Sequence, residues 1–178
     1  MHRLFLAIRP PEPVRDLLLD LMDAAEGLRW QDEEQLHCTL RFVGEVDGHV
    51  AEDLAGALTA IRFDPFEVRV QGVGRFEQRR GGALWAGVAP REPLAALAAK
   101  IDRACVAVGL APERRAYHPH ITLARWRGAA PVQPLLERHA NLASEPWQVA
   151  RFTLYESHLA RARAHHEAVA DYGYDGRG

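Results

Sequence analysis

A four-residue phrase occurs twice in the chain, as His37-Cys38-Thr39-Leu40 and as His120-Ile121-Thr122-Leu123. Each reads His-x-Thr-apolar inside a short apolar run. In a strand, residues i and i+2 share a face. His37 and Thr39 then point one way and Cys38 and Leu40 the other, and His120 and Thr122 oppose Ile121 and Leu123 in the same manner. Two such strands side by side gather two imidazoles and two hydroxyls around one cleft.

The phrases sit inside a longer repeat. Ile8-Arg9-Pro10-Pro11-Glu12-Pro13-Val14 matches Val88-Ala89-Pro90-Arg91-Glu92-Pro93-Leu94 at an offset of 80, and the two phrases lie 83 apart, from 37 to 120. Residues 3–8 read as a strand, and Val14, Leu17, Leu18, Leu21 and Ala25 follow at helical spacing up to Gly27. Residues 36–43 make the first motif strand. A helix with Val50, Leu54, Ala57, Leu58 and Ile61 comes next, and Phe66, Val68 and Val70 alternate as a half-buried strand. Residues 72–82, rich in Gly and Arg, read as a loop.

The second half repeats this order. A strand at 83–88 leads to a helix over Leu94 to Val108, and the second motif strand spans 119–126. A short helix behind Pro131 and a strand from Trp147 to Tyr155 complete it. One or two further strands reach about Ala170, and residues 171–178 read as a tail. One domain over 1–170 is expected, with pseudo-repeat halves at about 1–73 and 83–155. Two copies are too few for a solenoid. They fit two similar lobes about a pseudo-twofold axis, which would turn the two motifs toward one cleft.

Bulk properties exclude several classes. A chain of 178 residues with net charge −2 has no overall basic field, so a nucleic-acid partner needs a local patch. No apolar run approaches eighteen residues, and the short apolar start runs into prolines, so neither a membrane span nor a signal segment is expected. Cys38 and Cys105 form no metal-type spacing and are too few for a disulfide framework, which fits a reducing cytoplasm. Of 22 Lys plus Arg only Lys100 is lysine, and it lies on a helix, which argues against a ligase that works through a lysyl-nucleotide. Arginine suits phosphate because its planar fork binds two oxygens at once, although the bias also has a bland reading in codon usage.

Histidine titrates near neutrality, so a pair can hold one acid and one base together. Flanking a phosphodiester, one imidazole deprotonates the incoming water and the other protonates the departing oxygen. The threonine hydroxyls can bond non-bridging oxygens, where charge builds during transfer. A single H-x-T in a strand is weak; two at matching places in a repeat are much less expected by chance. No cofactor is required. His118 and His120 imitate a metal pair, but Cys38 faces away and no third ligand of usual type is in view.

The sequence resembles the two-histidine (2H) phosphoesterases, and within them the RNA 2′,3′-cyclic phosphodiesterases once called 2′-5′ RNA ligases. The likeness is carried by Arg3-Leu4-Phe5-Leu6-Ala7-Ile8, by Leu36-His37-Cys38-Thr39-Leu40-Arg41-Phe42-Val43-Gly44, by Pro119-His120-Ile121-Thr122-Leu123-Ala124-Arg125 and by Leu154-Tyr155-Glu156-Ser157. It implies a bilobal α+β fold with antiparallel strands lining a central cleft. It implies metal-independent hydrolysis of RNA 2′,3′-cyclic ends to 2′-phosphomonoesters, and by reversibility 2′-5′ joining. His37 would be the proton donor, His120 the acceptor, and Thr39 and Thr122 the phosphate ligands. The expected partner is RNA with a cyclic end, such as a tRNA fragment, met by a monomer. A phosphodiesterase for small cyclic nucleotides or cyclic ADP-ribose phosphate is the alternative, and an RNA-binding module with a weak site another.

Four further residues are candidate substrate contacts: Arg125, Arg41, Tyr155 and Phe76. Arg125 stands an odd step from His120, on the opposite face of an ideal strand unless a bulge or strand end redirects it, and Arg41 follows the first motif. Tyr155 either lines the cleft or closes the core. Phe76, with Arg75, Arg79 and Arg80, lies in the Gly-rich segment and could serve as a stacking face beside an RNA backbone. His165 and His166 read as surface residues, and Trp30, Trp85, Trp126 and Trp147 as packing.

Overall fold

The computed structural model describes residues 1–23 and 27–173. In chain order it forms β1 (His2–Ile8), α1 (Glu12–Asp20), β2 (Arg29–Trp30), a 3-10 turn (Glu33–Gln35), β3 (Cys38–Val46), α2 (Gly48–Leu58) and β4 (Phe66–Gln78). Then come β5 (Gly81–Ala89), α3 (Arg91–Ala107), β6 (His120–Arg127), α4 (Gln133–Arg138), β7 (Trp147–Val149), β8 (Arg151–Leu159) and β9 (Ala164–Gly173). None of the described helices is long and apolar enough to cross a membrane.

The strands form a sheet in the order β7-β4-β5-β6-β3-β1-β8-β9, with β2 added against β6. All pairings are antiparallel. From β4 to β8 this order reads the same from either end once β1 is matched to β5, β3 to β6 and β4 to β8. The motif strands β3 and β6 meet at its centre, in register only at Cys38 and Ile121. The third strand of each sequence half lies against the other half: β4 pairs with β5, and β8 with β1. The halves at 1–73 and 83–155 are therefore interlocked rather than separate lobes.

One sheet face carries the core. Leu4, Leu6, Ile8, Cys38, Leu40, Ile121, Leu123, Leu84 and Val88 are buried there, with Val14 and Leu18 of α1, Leu54 and Leu58 of α2, and Leu94, Leu97, Ile101 and Cys105 of α3. Each such buried aliphatic side chain contributes roughly 1.5–3 kcal/mol. The helices begin where the sequence sets them. Prolines 11 and 90 precede α1 and α3, and the Asp47 carboxylate accepts from the Val50 N–H at 2.9 Å to cap α2.

Four expectations change. The first helix stops at Asp20, short of Ala25, which falls outside the described residues. The expected loop at 72–82 is mostly a β-hairpin. Its glycines have uses inside a sheet: Gly72, at φ +72°, sits where the register shifts, and a Cβ on Gly74 would lie 2.3 Å from the Trp85 ring. The expected tail begins later, because Asp171–Gly173 closes β9 opposite Arg151–Thr153; residues 174–178 lie outside the described residues. Finally, β2 and the 3-10 turn are additions for which the sequence carries no periodic signal; the turn is held by a reciprocal cap between Asp32 and Gln35 just before the first motif.

Candidate active site

The cleft lies on the sheet face opposite the helical core, over the junction of β3 and β6. His37, Thr39, His120 and Thr122 all line one cavity of about 780 Å³. Cys38 opposite Ile121 fixes the antiparallel register. It brings His37 and Thr39 of the first motif beside His120 and Thr122 of the second. Cys38 is fully buried on the core side, where burial pushes its thiol up to about 11. Tyr117 ties the two motif segments together: its hydroxyl donates to the Thr39 carbonyl at 3.1 Å and lies 3.8 Å from the Cys38 Sγ.

The imidazoles are held differently. His120 Nδ1 lies 2.7 Å from the His118 carbonyl oxygen. A carbonyl only accepts, so Nδ1 carries the proton and the neutral ring leaves Nε2 with its lone pair free. The Phe76 ring stands edge-on to His120 at 4.9 Å, and Trp85 lies 6.2 Å away. His37 packs against Phe5 at 4.9 Å, with Tyr155 stacked on Phe5 at 5.1 Å and 6.1 Å from His37. The His166 ring stands edge-on to His37 at 5.3 Å. Burial lowers both imidazole pKa values. For His37 it acts with the charges of His166, Arg9, His120 and Arg125, down to about 3. For His120 the carbonyl of His118 works against the lowering.

Bulges decide what else reaches the cleft. In β6, Trp85 pairs with Thr122 and Leu84 with Ala124, so Leu123 is an extra residue. The extra residue reverses the alternation, and Arg125 joins His120 and Thr122 on the cleft face, where it lines the cavity. The matching residue in β3, Leu40, is extra between Thr39 and Arg41. There the reversal brings Phe42 into the cleft wall, 45 % exposed, with the Arg3 guanidinium 5.4 Å from its ring centre. Arg41 turns the other way. Its guanidinium is engaged by Asp102 at 3.1 Å, Glu113 at 3.4 Å and the Ala111 carbonyl, so Arg41 is a structural tie and not a substrate contact.

Phe76 lies in β4 opposite Ala83, and Tyr155 in β8 opposite Phe5. Neither lines the cavity; each backs a motif histidine. The expected stacking role of Phe76 is corrected accordingly, since its ring is committed to His120, His118 and Trp85. Trp85 is packing, as expected. His165 is exposed beside Glu34 at 3.2 Å, but His166 is not a surface residue. A third bulge, at Val169, turns it to the cleft opposite Ser157. Phe5, Phe42, His166, Arg3 and Arg29 are cleft residues that sequence reasoning missed. Strict alternation offers no sign of a bulge, and β2, which supplies Arg29, is two residues long.

The cleft carries charge far from the average of the chain. Arg3, Arg29, Arg115, Arg125, Arg161 and Arg163 line it, and no described carboxylate does. Among the described residues no three His, Cys, Asp or Glu side chains are grouped to hold a metal ion. The arrangement offers two imidazoles, two hydroxyls and a cationic wall to an anionic ester.

A family model described as the 2′-5′ RNA ligase superfamily matches residues 7–161. An RNA 2′,3′-cyclic phosphodiesterase of Geobacillus stearothermophilus is 34% identical over 146 residues, which cover 78% of this chain and 46% of that protein. The chain thus spans about half the length of that relative. The Escherichia coli protein of the same name is 30% identical over 166 residues, 91% of this chain and 90% of its own. The crystal structure of Escherichia coli LigT complexed with 3′-AMP superimposes with a TM-score of 0.80 at 26% identity, covering 98% of both chains.

Proposed function

Because the chain belongs to the 2′-5′ RNA ligase superfamily, we propose that it hydrolyses RNA 2′,3′-cyclic phosphate ends to 2′-phosphomonoesters with two histidines. One observation carries this reading: both His-x-Thr pairs, on strands that meet antiparallel at Cys38 and Ile121, line one arginine-walled cavity. The relatives from Geobacillus stearothermophilus and Escherichia coli are RNA 2′,3′-cyclic phosphodiesterases, which supports the choice of substrate.

His120 Nε2 takes a proton from water as the oxygen attacks phosphorus. His37 gives its proton to the departing 3′ oxygen, and the 2′-phosphomonoester and a free 3′-hydroxyl remain. Thr39, Thr122 and Arg125 hold the non-bridging oxygens, where charge accumulates. The tether of His120 Nδ1 to a carbonyl supports its role as the base, since it presents the lone pair of Nε2 to the cleft. Burial and neighbouring charge hold His37 down to about 3, so in the empty cleft its ring is neutral and the acid role depends on bound anionic substrate. An anionic phosphate between the rings supplies the charge that lets His37 hold this proton when substrate is bound. By microscopic reversibility the same groups join a cyclic end to a 5′-hydroxyl.

The working unit in this reading is a monomer acting in the cytoplasm, where its two buried free thiols stay reduced. RNA fragments with cyclic ends, those of tRNA included, are the substrates. The test is an oligoribonucleotide with a 2′,3′-cyclic end. A 2′-phosphomonoester should appear, EDTA should not slow its release, and His37→Ala or His120→Ala should each reduce the rate by at least about 10²-fold. Full activity in either variant would overturn the assignment.

A further inference from the structure

A second cavity, of about 500 Å³, opens beside the catalytic cleft at the edge formed by β2, β6 and the tip of the β4–β5 hairpin. Arg29, Arg80, Arg125 and Arg127 line it, together with Gln78 and Trp126. Arg29 and Arg125 line the catalytic cleft as well, so the two cavities are continuous through this pair.

The charge here is not balanced by described residues of the fold. Arg29 and Arg125 are direct cross-strand partners in the β2–β6 ladder, and like charges so placed repel. Arg127 stands two residues further along β6, opposite Gly81 next to Arg80. None of the four guanidiniums makes a side-chain hydrogen bond or ion pair with any described residue, whereas Arg15, Arg41, Arg75, Arg115, Arg138 and Arg163 each have a carboxylate partner. The charge of Arg29, after burial, is among the causes that lower the Arg125 pKa. Arg69, Arg79, Arg103, Arg114, Arg151 and Arg161 also lack a described side-chain partner, but here four unpaired guanidiniums gather around one cavity. The glycines let β5 lie close against β6 here: a Cβ on Gly82 would meet the Trp126 ring at 2.3 Å, and one on Gly81 the Trp126 carbonyl oxygen at 2.1 Å.

We propose that the groove of Arg29, Arg80, Arg125 and Arg127 is a backbone-binding site for the body of the RNA strand, holding phosphates on the 5′ side of the terminal nucleotide. This rests on the phosphodiesterase reading of the adjoining cleft. With the cyclic end between His37 and His120, the chain leaves past Arg125 and Arg29, and its next phosphates reach Arg80 and Arg127. A cyclic mononucleotide has no such phosphates. The groove thus sets the preference for a strand over a monomer and makes binding depend on salt, without reading base sequence.

The test compares a cyclic-ended hexaribonucleotide with cytidine 2′,3′-cyclic phosphate, using the wild type, the double variant Arg80→Ala/Arg127→Ala and the charge-retaining Arg80→Lys/Arg127→Lys. In the alanine variant kcat/KM on the hexamer should fall about tenfold or more, chiefly through KM. The slope of its logarithm against the logarithm of salt concentration should flatten by about 1.4, because two phosphates of a single strand are no longer neutralised. Turnover of the mononucleotide should stay as in the wild type, and the lysine variant should recover most of the loss. An unchanged hexamer KM and salt slope would overturn the site, as would an equal loss on both substrates. If the wild type turns over neither substrate, the reading of the cleft itself fails, and this site with it.

Discussion

His37 and His120 are the same residue at equivalent places, yet their surroundings differ, and the proposed division of acid and base rests on that difference. His120 is fixed through Nδ1 by a carbonyl. His37 is pressed between Phe5 and His166 and held down to about 3. Both lie below the ordinary histidine value in the empty site, and the reaction needs one protonated and one neutral ring. In the free enzyme the donor His37 gains its proton only as pH falls toward about 3, so the alkaline limb of kcat/KM lies on the acid side of the ordinary histidine value. A bound phosphate anion favours the imidazolium and raises its pKa, so the alkaline limb of kcat should lie at higher pH than that of kcat/KM; initial rates across pH 4–9 would check this. The two arginines that follow the motifs should part in the same way. Arg125→Ala should lower kcat/KM by about 10²-fold and, with one positive neighbour gone, move the alkaline limb upward. Arg41→Ala should leave kcat and KM near the wild type while costing about 2 kcal/mol of stability in urea titrations, because its ties to Asp102 and Glu113 are removed.

At the level of the element, the strands do more than carry alternating side chains. Single extra residues at Leu40, Leu123 and Val169 each reverse the pattern beyond them, which brings Phe42, Arg125 and His166 to the cleft. The β4–β5 hairpin stiffens the second histidine. Trp85 lies over Gly74, against Phe76 and His118, and within reach of His120. Gly74→Ala sets a methyl 2.3 Å from the indole, far inside van der Waals distance. The ring has to move, and the packing that orients His120 moves with it. We expect about 2 kcal/mol of destabilisation, a loss in kcat larger than any change in KM, and a shifted tryptophan fluorescence spectrum.

Across the whole molecule, the exchange of third strands makes the two halves one cooperative unit. β4 belongs to the first half by sequence but pairs with β5 of the second, and β8 returns to β1. A fragment of residues 1–79 leaves β1 without β8 and β4 without β5 and β7, and so exposes unpaired edges. It should be largely unfolded by circular dichroism, as should residues 80–178. Mixing or co-expressing the two should restore a folded complex with activity, because the break falls at the exposed hairpin tip between Gln78 and Gly81. Fragments that each folded alone would contradict the interlocked arrangement.

The chemistry is legible in the chain because it depends on the shortest spacing a strand has. Only one residue separates each histidine from its threonine, and no bulge falls between them, so i, i+2 alternation governs both motifs. The repeat at offsets of 80 and 83 makes the motifs equivalent, and helical periodicity with proline starts places α1, α2 and α3. Beyond Thr39 and Thr122 the same rule fails. A bulge is set by the partner strand, and that partner arrives from elsewhere in the sequence. Hence Arg41 and Phe42 exchange the faces that strict alternation gives them, Arg125 gains the cleft, and His166 reaches His37 from 129 residues away, at positions 166 and 37. The proposed difference between acid and base has the same origin. Local sequence makes the two histidines alike, and only long-range burial and neighbouring charge make them unequal.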